Sequence, residues 1–180
     1  MASEIEVKYA VPDRTALDQA LAARGIELSA PVHQDDQAYA PGAWSFGDPR
    51  VGVTFVRLRT QGGRCTFTTK TPVANVLACR EYETPVADRE QMHHAIIAMG
   101  YRPTVRVVKQ RRTAQVGRYA LCVDEIEGVG AFLEVECVAD TDDMTGVQAE
   151  LASWVEGLGA PVQRTGATYD EVVQVAAATA

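Results

Sequence analysis

Long apolar runs, a cysteine framework and an excess of positive charge are all missing from this 180-residue sequence. No apolar run approaches the roughly 20 residues that a membrane span needs, and no basic stretch followed by an apolar one opens the chain. We therefore expect a cytoplasmic protein with no signal peptide and no membrane partner. The four cysteines form no CxxC pair and lie among apolar or strand-forming residues, which favours buried, reduced thiols over a disulfide or metal framework.

Acidic residues outnumber basic ones, with 24 Asp and Glu against 17 Lys and Arg, which gives a net charge of −7. Proteins that bind nucleic acid or anionic membranes usually carry a basic surface, so this balance disfavours both partners. It does not exclude a small anionic ligand, because a local basic site can lie inside an acidic protein. Length and composition, with 47% hydrophobic and 23% charged residues, indicate a single domain over residues 1–180.

Apolar periodicity and turn residues divide the chain into eight predicted strands and four predicted helices. The strands are expected at 4–10, 32–39, 53–60, 64–70, 79–86, 102–113, 119–125 and 132–138. The helices are expected at 13–24, 88–99, 141–158 and 171–178, and a Gly- and Pro-rich loop at 41–52. Strands in series with helices near the start, middle and end indicate an α+β domain built on an antiparallel sheet or barrel.

Charged side chains occupy one face of seven of these strands, opposite an apolar face, because successive side chains of a strand alternate between its two faces. For any one strand, a face in contact with water is the simpler explanation. The whole set is harder to explain in that way. The acids are Glu4, Glu6, Glu81, Glu83, Asp124, Glu134 and Glu136, and the bases are Lys8, Arg57, Arg59, Lys70, Lys109 and Arg111.

Two architectures satisfy this pattern. An open sheet could leave its charged face in water, or the sheet could close into a barrel with the charges inside and the apolar faces beneath helices. A charged interior is costly unless its charges are paired or bind ions, so a barrel would imply a function. Arginines and lysines bind phosphate oxygens, and paired carboxylates hold Mg²⁺ or Mn²⁺. The mixture therefore indicates a metal–triphosphate complex.

The first strand, Glu4-Ile5-Glu6-Val7-Lys8, resembles the ExExK motif of the CYTH superfamily, the triphosphate tunnel metalloenzymes. That family includes class IV adenylyl cyclases, thiamine triphosphatases and inorganic triphosphatases. Further stretches resemble the family's other motifs in the same order: Arg57-Leu58-Arg59 (RxR), Thr69-Lys70 (TxK), Arg80-Glu81-Tyr82-Glu83 (RxExE), Lys109-Gln110-Arg111 (KxR) and Asp124 through Glu136 (DxxxGLGxFxExE). Asp35 and Tyr39 resemble its second-strand positions, and Tyr169-Asp170 part of its C-terminal SYxD stretch.

The resemblance implies an eight-stranded antiparallel tunnel with a charged interior, helices packed outside and a requirement for Mg²⁺ or Mn²⁺. It assigns the metal to Glu4, Glu6, Asp124, Glu134 and Glu136. It assigns the triphosphate to Lys8, Arg57, Arg59, Lys70, Lys109 and Arg111, with Lys8, Lys70, Lys109 and Arg111 as the catalytic candidates. Glu81 and Glu83 either bind metal or pair with the bases and fix their geometry.

The shared motifs do not choose the reaction. The chain resembles the compact bacterial class IV cyclases, which implies conversion of ATP to cyclic AMP and pyrophosphate; an inorganic tripolyphosphatase or a thiamine triphosphatase is the alternative. A sensor that only binds nucleotide or polyphosphate is disfavoured, because it would not need the carboxylates. Lys8 is a candidate general base, since a lysine among cations can have a lowered pKa. Trp44 is a packing residue or a cover for the tunnel mouth, and a homodimer is left open.

Overall fold

Eight antiparallel strands close into a barrel in the computed structural model, which describes residues 2–179. The strands are β1 (Ser3–Ala10), β2 (Val32–Pro41), β3 (Phe55–Gln61), β4 (Arg64–Pro72), β5 (Ala78–Val86), β6 (Tyr101–Val116), β7 (Tyr119–Ile126) and β8 (Gly130–Ala139). Their order around the barrel is β5-β4-β3-β2-β6-β7-β8-β1, and β1 pairs with β5 to complete the circle. The predicted α+β barrel is confirmed, and the open sheet is excluded.

The seam between β1 and β5 is short. Only Glu4 and Ile5 have register partners on β5, and the amide of Glu6 donates to the carbonyl of Leu77 at 2.9 Å just before that strand. The later half of the same edge of β1 pairs instead with a ninth strand, β9 (Gln163–Thr165). The sequence did not indicate β9, because three residues are too few to show an alternating pattern.

Within residues 2–179, four helices lie outside the barrel wall: α1 (Arg14–Ala22), α2 (Arg89–Ala98), α3 (Met144–Gly157) and α4 (Tyr169–Thr179). Side chains of Asp13, Asp88 and Asp143 accept hydrogen bonds from the first-turn amides of α1, α2 and α3. These caps fix where the helices begin. The third helix therefore starts after Asp143 rather than at the expected residue 141, and α4 starts two residues earlier than expected.

The main apolar core lies between the outer face of the barrel and the helices. Ile5 and Val7 of β1 are fully buried against Leu17 of α1 and Leu151 of α3, which is the packing expected of helices outside a barrel. A second cluster packs Ile96 of α2 on the opposite side of the barrel. With the apolar side chains turned outward under helices, the charged side chains of the same strands point inward.

The four cysteines are free thiols, and all but Cys65 are buried. Burial raises the pKa of both Cys79 and Cys122 to about 12. Within residues 2–179, no helix combines the length and the apolar character needed to cross a membrane.

Candidate functional site

The inward faces of the strands line one cavity of about 300 Å³. Of the thirteen charged residues identified in the sequence, the cavity wall includes all except Asp124: Glu4, Glu6, Lys8, Arg57, Arg59, Lys70, Glu81, Glu83, Lys109, Arg111, Glu134 and Glu136. Where a strand carries two or more of these residues, they are spaced two apart and so lie on the same face of the strand. The alternation seen in the sequence therefore explains why they meet in one cavity.

Asp124 lies on the inward face of β7, covered by Lys109 and Arg111, and is 0% exposed. Its carboxylate accepts hydrogen bonds from Lys109 Nζ at 2.9 Å and from Arg111 Nε at 2.7 Å. Arg111 also donates to Glu134 Oε2 at 2.6 Å. Asp124 thus positions two cations of the cavity, and both of its oxygens are engaged in doing so. Its role as a metal ligand stays a prediction.

Lys8 is buried between two carboxylates, with Nζ 3.4 Å from Glu6 and 3.2 Å from Glu134. Burial by itself would lower the pKa of Lys8, but these two acids outweigh it and raise that pKa. The expectation of a lowered pKa at Lys8 is therefore wrong, because the nearest charges are acids. The lysine with a lowered pKa is Lys109, at about 8, owing first to burial and then to the adjacent Arg111.

Three carboxylates gather on the β1–β8 side of the cavity. One oxygen from each of Glu4, Glu6 and Glu136 lies within 4.8 Å of the others. Burial and the charges of Glu4, Glu134 and Glu6 raise the pKa of Glu136 to about 8. A cluster of hard oxygen donors whose members repel one another fits a divalent cation such as Mg²⁺ or Mn²⁺. These residues could hold the metal that the sequence implies.

Lys70 connects this cluster to β5. Its ammonium lies 3.6 Å from Glu4 and forms an ion pair with Glu81. Burial and the charge of Glu4 raise the pKa of Glu81 to about 7, against the effect of Lys70. Glu81 is therefore an ion-pair partner that holds Lys70 in place, one of the two roles left open for it.

The arginines of β3 are held by acids on β2 and β5. Arg59 donates to both oxygens of Asp36 at 2.7 Å, in a bidentate pair. Arg57 donates to Glu83 at 2.9 Å and to Thr68 at 3.1 Å. Glu83, like Glu81, thus pairs with a base.

The second strand contributes a cavity acid that was not among the candidates from the sequence. Asp35 faces outward and pairs with Arg106, and Tyr39 packs under α2 with its hydroxyl 2.8 Å from His93 Nδ1. The acid that lines the cavity is Asp36. Alternation alone could not have identified Asp36, because it puts Asp35 on one face of β2 and Asp36 on the other, and both faces carry polar residues.

The first turn of α4 reaches into the cavity. The Tyr169 ring lies 4.2 Å from Lys8 Nζ and 4.5 Å from Lys109 Nζ, as cation–π contacts. Val172 and Val173 of α4 pack against an apolar cluster that includes Val105 of β6. The α4 helix thus borders the site at the end of the barrel where the inward side chains are apolar instead of charged.

The loop between β2 and β3 supplies a cation that the sequence did not indicate. Arg50 lines the cavity, although a loop has no alternation that would reveal which side chains point inward. Trp44 of the same loop packs edge-on against Phe46 and Phe55 and does not belong to the cavity wall. Of its two interpretations, packing is the one the structure supports.

Comparison with known proteins places the chain in a family. The CYTH domain family model matches residues 2–163. A Methanocaldococcus jannaschii protein named "putative adenylate cyclase" is 24% identical over 158 residues, which cover 86% of this chain and 89% of that protein. A "putative adenylate cyclase" structure from Vibrio parahaemolyticus has a TM-score of 0.74 at 20% identity, covering 95% of this chain and 97% of that one.

A Hippeastrum structure, described as a putative adenylyl cyclase that reveals a dominant triphosphatase activity, has a TM-score of 0.61 at 17% identity, covering 97% of this chain and 96% of that one. At these identities, the two solved structures show a shared fold. The family model spans nearly the whole chain, and the barrel with its charged interior agrees with it. The chain belongs to the CYTH domain family.

Proposed function

We propose that this protein is a divalent-metal-dependent enzyme that acts on a triphosphate inside its barrel. The observation that supports this most strongly is the sharing of one cavity by bases and carboxylates from the inward faces of the strands. A triphosphate carries several negative charges, which Arg forks and Lys ammonium groups bind. Carboxylates in the same cavity would repel it unless they held a cation.

The bases would bind the phosphate oxygens. Their acid partners already hold Arg59 and Arg111 in bidentate geometry, and Lys8 between two acids. Cations fixed before the substrate arrives need little reorganisation when charge develops on the reacting phosphoryl group, which is the main source of electrostatic catalysis. This favours a catalytic cavity over one that only stores an anion.

The carboxylates Glu4, Glu6 and Glu136 would hold the divalent cation, which when bound would neutralise charge on the phosphate oxygens. Lys70, paired with both Glu4 and Glu81, would orient Glu4 toward the cluster. Glu134 pairs with Lys8 and Arg111, so it would connect the metal side of the cavity to the phosphate side.

The reaction we favour is that of a class IV adenylyl cyclase. In that reaction the ribose 3′-hydroxyl of ATP loses its proton and attacks the α-phosphorus, and pyrophosphate leaves. The names of the Methanocaldococcus and Vibrio proteins support this choice. So does a group of apolar side chains in the same cavity, which an inorganic triphosphate would not use: Phe55, Pro72, Val76 and Leu77.

A triphosphatase is the second candidate, in which water attacks the terminal phosphorus, the diphosphate remainder is the leaving group, and the terminal phosphoryl group is released as orthophosphate. The dominant triphosphatase activity described for the Hippeastrum protein favours it, because that protein shares this fold. Both reactions would use the same bases and the same metal.

Product analysis separates the two. The purified protein is incubated with Mg²⁺ or Mn²⁺ and with ATP, tripolyphosphate or thiamine triphosphate, and the products are resolved by ion-exchange chromatography. Cyclic AMP with pyrophosphate identifies a cyclase, and orthophosphate identifies a triphosphatase. Binding of these compounds with no turnover would contradict the proposal and identify a sensor.

A matched pair of variants tests whether turnover depends on the cavity. Arg57→Met removes an inward cation, whereas Arg106→Met removes an outward one that is 63% exposed and pairs with Asp35 at the surface. Loss of one preorganised donor should lower kcat/KM by about 100-fold in Arg57→Met, and Arg106→Met should retain wild-type turnover. Equal activities in the two variants would contradict the assignment of the cavity as the active site.

A further inference from the structure

Arg50 is the one cavity cation that comes from a loop rather than from a strand, among the residues that the structure describes. Its side chain is only 9% exposed. The guanidinium carbon lies 4.3 Å from the centre of the Phe55 ring and 5.2 Å from that of Trp44. Two aromatic rings therefore hold the guanidinium in position, next to the strand that carries Arg57.

The hydrogen bonding of Arg50 is incomplete. Its Nη2 reaches Asp170 Oδ2 only at 3.5 Å, and its Nη1 lies 4.0 Å from Glu171 Oε1. Within residues 2–179, its buried Nε and Nη1 donate no hydrogen bond. Buried donors of a charged group are destabilising when they lack acceptors. Arg59, by comparison, donates to both oxygens of its carboxylate at 2.7 Å.

We propose that Arg50 is a substrate-binding residue whose Nε and Nη1 donate to phosphate oxygens of the triphosphate. This inference rests on the proposed function and adds a cation that none of the motifs contains. Nε and Nη1 point to different sides of a guanidinium, so each would donate to its own acceptor, and a triphosphate offers oxygens on several phosphoryl groups. Oxygens of that kind are what these two donors lack, and the side chain already faces the cavity that would contain them.

A structural role is the competing explanation, in which Arg50 ties the loop to α4 through Asp170. The long contact distances argue against it, since 3.5 Å and 4.0 Å are at or beyond the limit of a hydrogen bond. The two roles also predict different effects of removing the Asp170 carboxylate. If Arg50 serves the substrate, Asp170 competes with the phosphate for it; if Arg50 serves the loop, removal of either partner has the same effect.

Equilibrium binding of tripolyphosphate to the full chain, measured by calorimetry in the presence of Mg²⁺, tests the proposal. Arg50→Met should weaken binding by about 10- to 100-fold, the effect of losing charged hydrogen bonds. Asp170→Asn should bind as tightly as the wild type or more tightly, because it releases Arg50. Equal weakening in both variants, or wild-type affinity in Arg50→Met, would overturn the proposal.

Two further comparisons keep the outcome interpretable. Arg50→Lys keeps the charge but lacks a guanidinium whose Nε and Nη1 donate in two fixed directions, so it should bind more weakly than the wild type. If Arg50→Met fails to fold, Arg50→Lys alone decides the question, and wild-type affinity in Arg50→Lys would overturn the proposal. A wild-type protein that binds no tripolyphosphate would instead contradict the proposed function, which separates the two failures.

Discussion

Replacement of Glu136 by Gln should stabilise the protein in the absence of metal and remove most of its response to a divalent cation. Burial and the charges of Glu4, Glu134 and Glu6 raise the pKa of Glu136 from 4.5 to about 8. Between these pH values, the folded chain holds a proton that the unfolded chain releases, so stability falls as the pH rises. Gln carries no such proton, and the variant should lose this part of the pH dependence.

The size of the effect follows from the shift. Each pKa unit corresponds to about 1.4 kcal/mol, so the ionisable Glu136 should lower the free energy of unfolding by about 2 kcal/mol at pH 6 and by about 4 kcal/mol at pH 8. Between pH 6 and pH 8, the wild type should lose about 2 kcal/mol of unfolding free energy that Glu136→Gln retains. A bound cation stabilises only the folded state, so Mn²⁺ should raise the free energy of unfolding of the wild type more than that of the variant.

Urea denaturation at the two pH values, without metal and then with Mn²⁺, measures both effects. Glu125→Gln is the matched control, because Glu125 is exposed on the outside of β7. That control should follow the wild type in both measurements. The reasoning is refuted if Glu136→Gln has the same pH dependence as the wild type, or if Mn²⁺ stabilises the two proteins equally.

The remaining predictions concern other buried groups. Asp36→Asn should destabilise the protein by about 3 kcal/mol at neutral pH, as expected when a buried ion pair is broken. Although burial opposes it, Arg59 lowers the pKa of Asp36, so the stability gained from the ionised pair is lost as the pH falls through that lowered pKa. Urea denaturation should therefore show that the difference in unfolding free energy between the wild type and Asp36→Asn shrinks in acid. Iodoacetamide should alkylate Cys65 before Cys79 and Cys122, whose buried thiols have pKa values of about 12; mass spectra that show all three labelled together would contradict this.

Alternation predicted most of the cavity wall because it is a local rule, whereas the barrel was implied by the resemblance to the CYTH superfamily, since alternation also allowed an open sheet. Side chains of a strand alternate, so Glu4, Glu6 and Lys8 share a face whatever the strand pairs with. Apolar residues on the other face then require helices outside. Applied to β2, the same rule puts Asp35 and Asp36 on opposite faces but does not say which of the two faces is turned inward.

What the sequence could not predict depends on contacts between distant segments. Although burial opposes it, the pKa of Lys8 is raised by Glu6 of its own strand and by Glu134, which β8 brings beside it. Asp124 is hidden from the cavity because Lys109 and Arg111 cover it and bond to it. The position of Arg50 is set by aromatic packing in a loop that has no periodic pattern.

A crystal structure of the protein with Mn²⁺ and tripolyphosphate tests the metal–triphosphate site most directly, because the anomalous signal of manganese locates the ion independently of the phosphate density. We predict a manganese peak among the carboxylates of Glu4, Glu6 and Glu136, with phosphate oxygens within hydrogen-bond distance of Arg59 and Arg111. Tripolyphosphate bound outside the barrel, or manganese bound away from these three carboxylates, would contradict the proposed site.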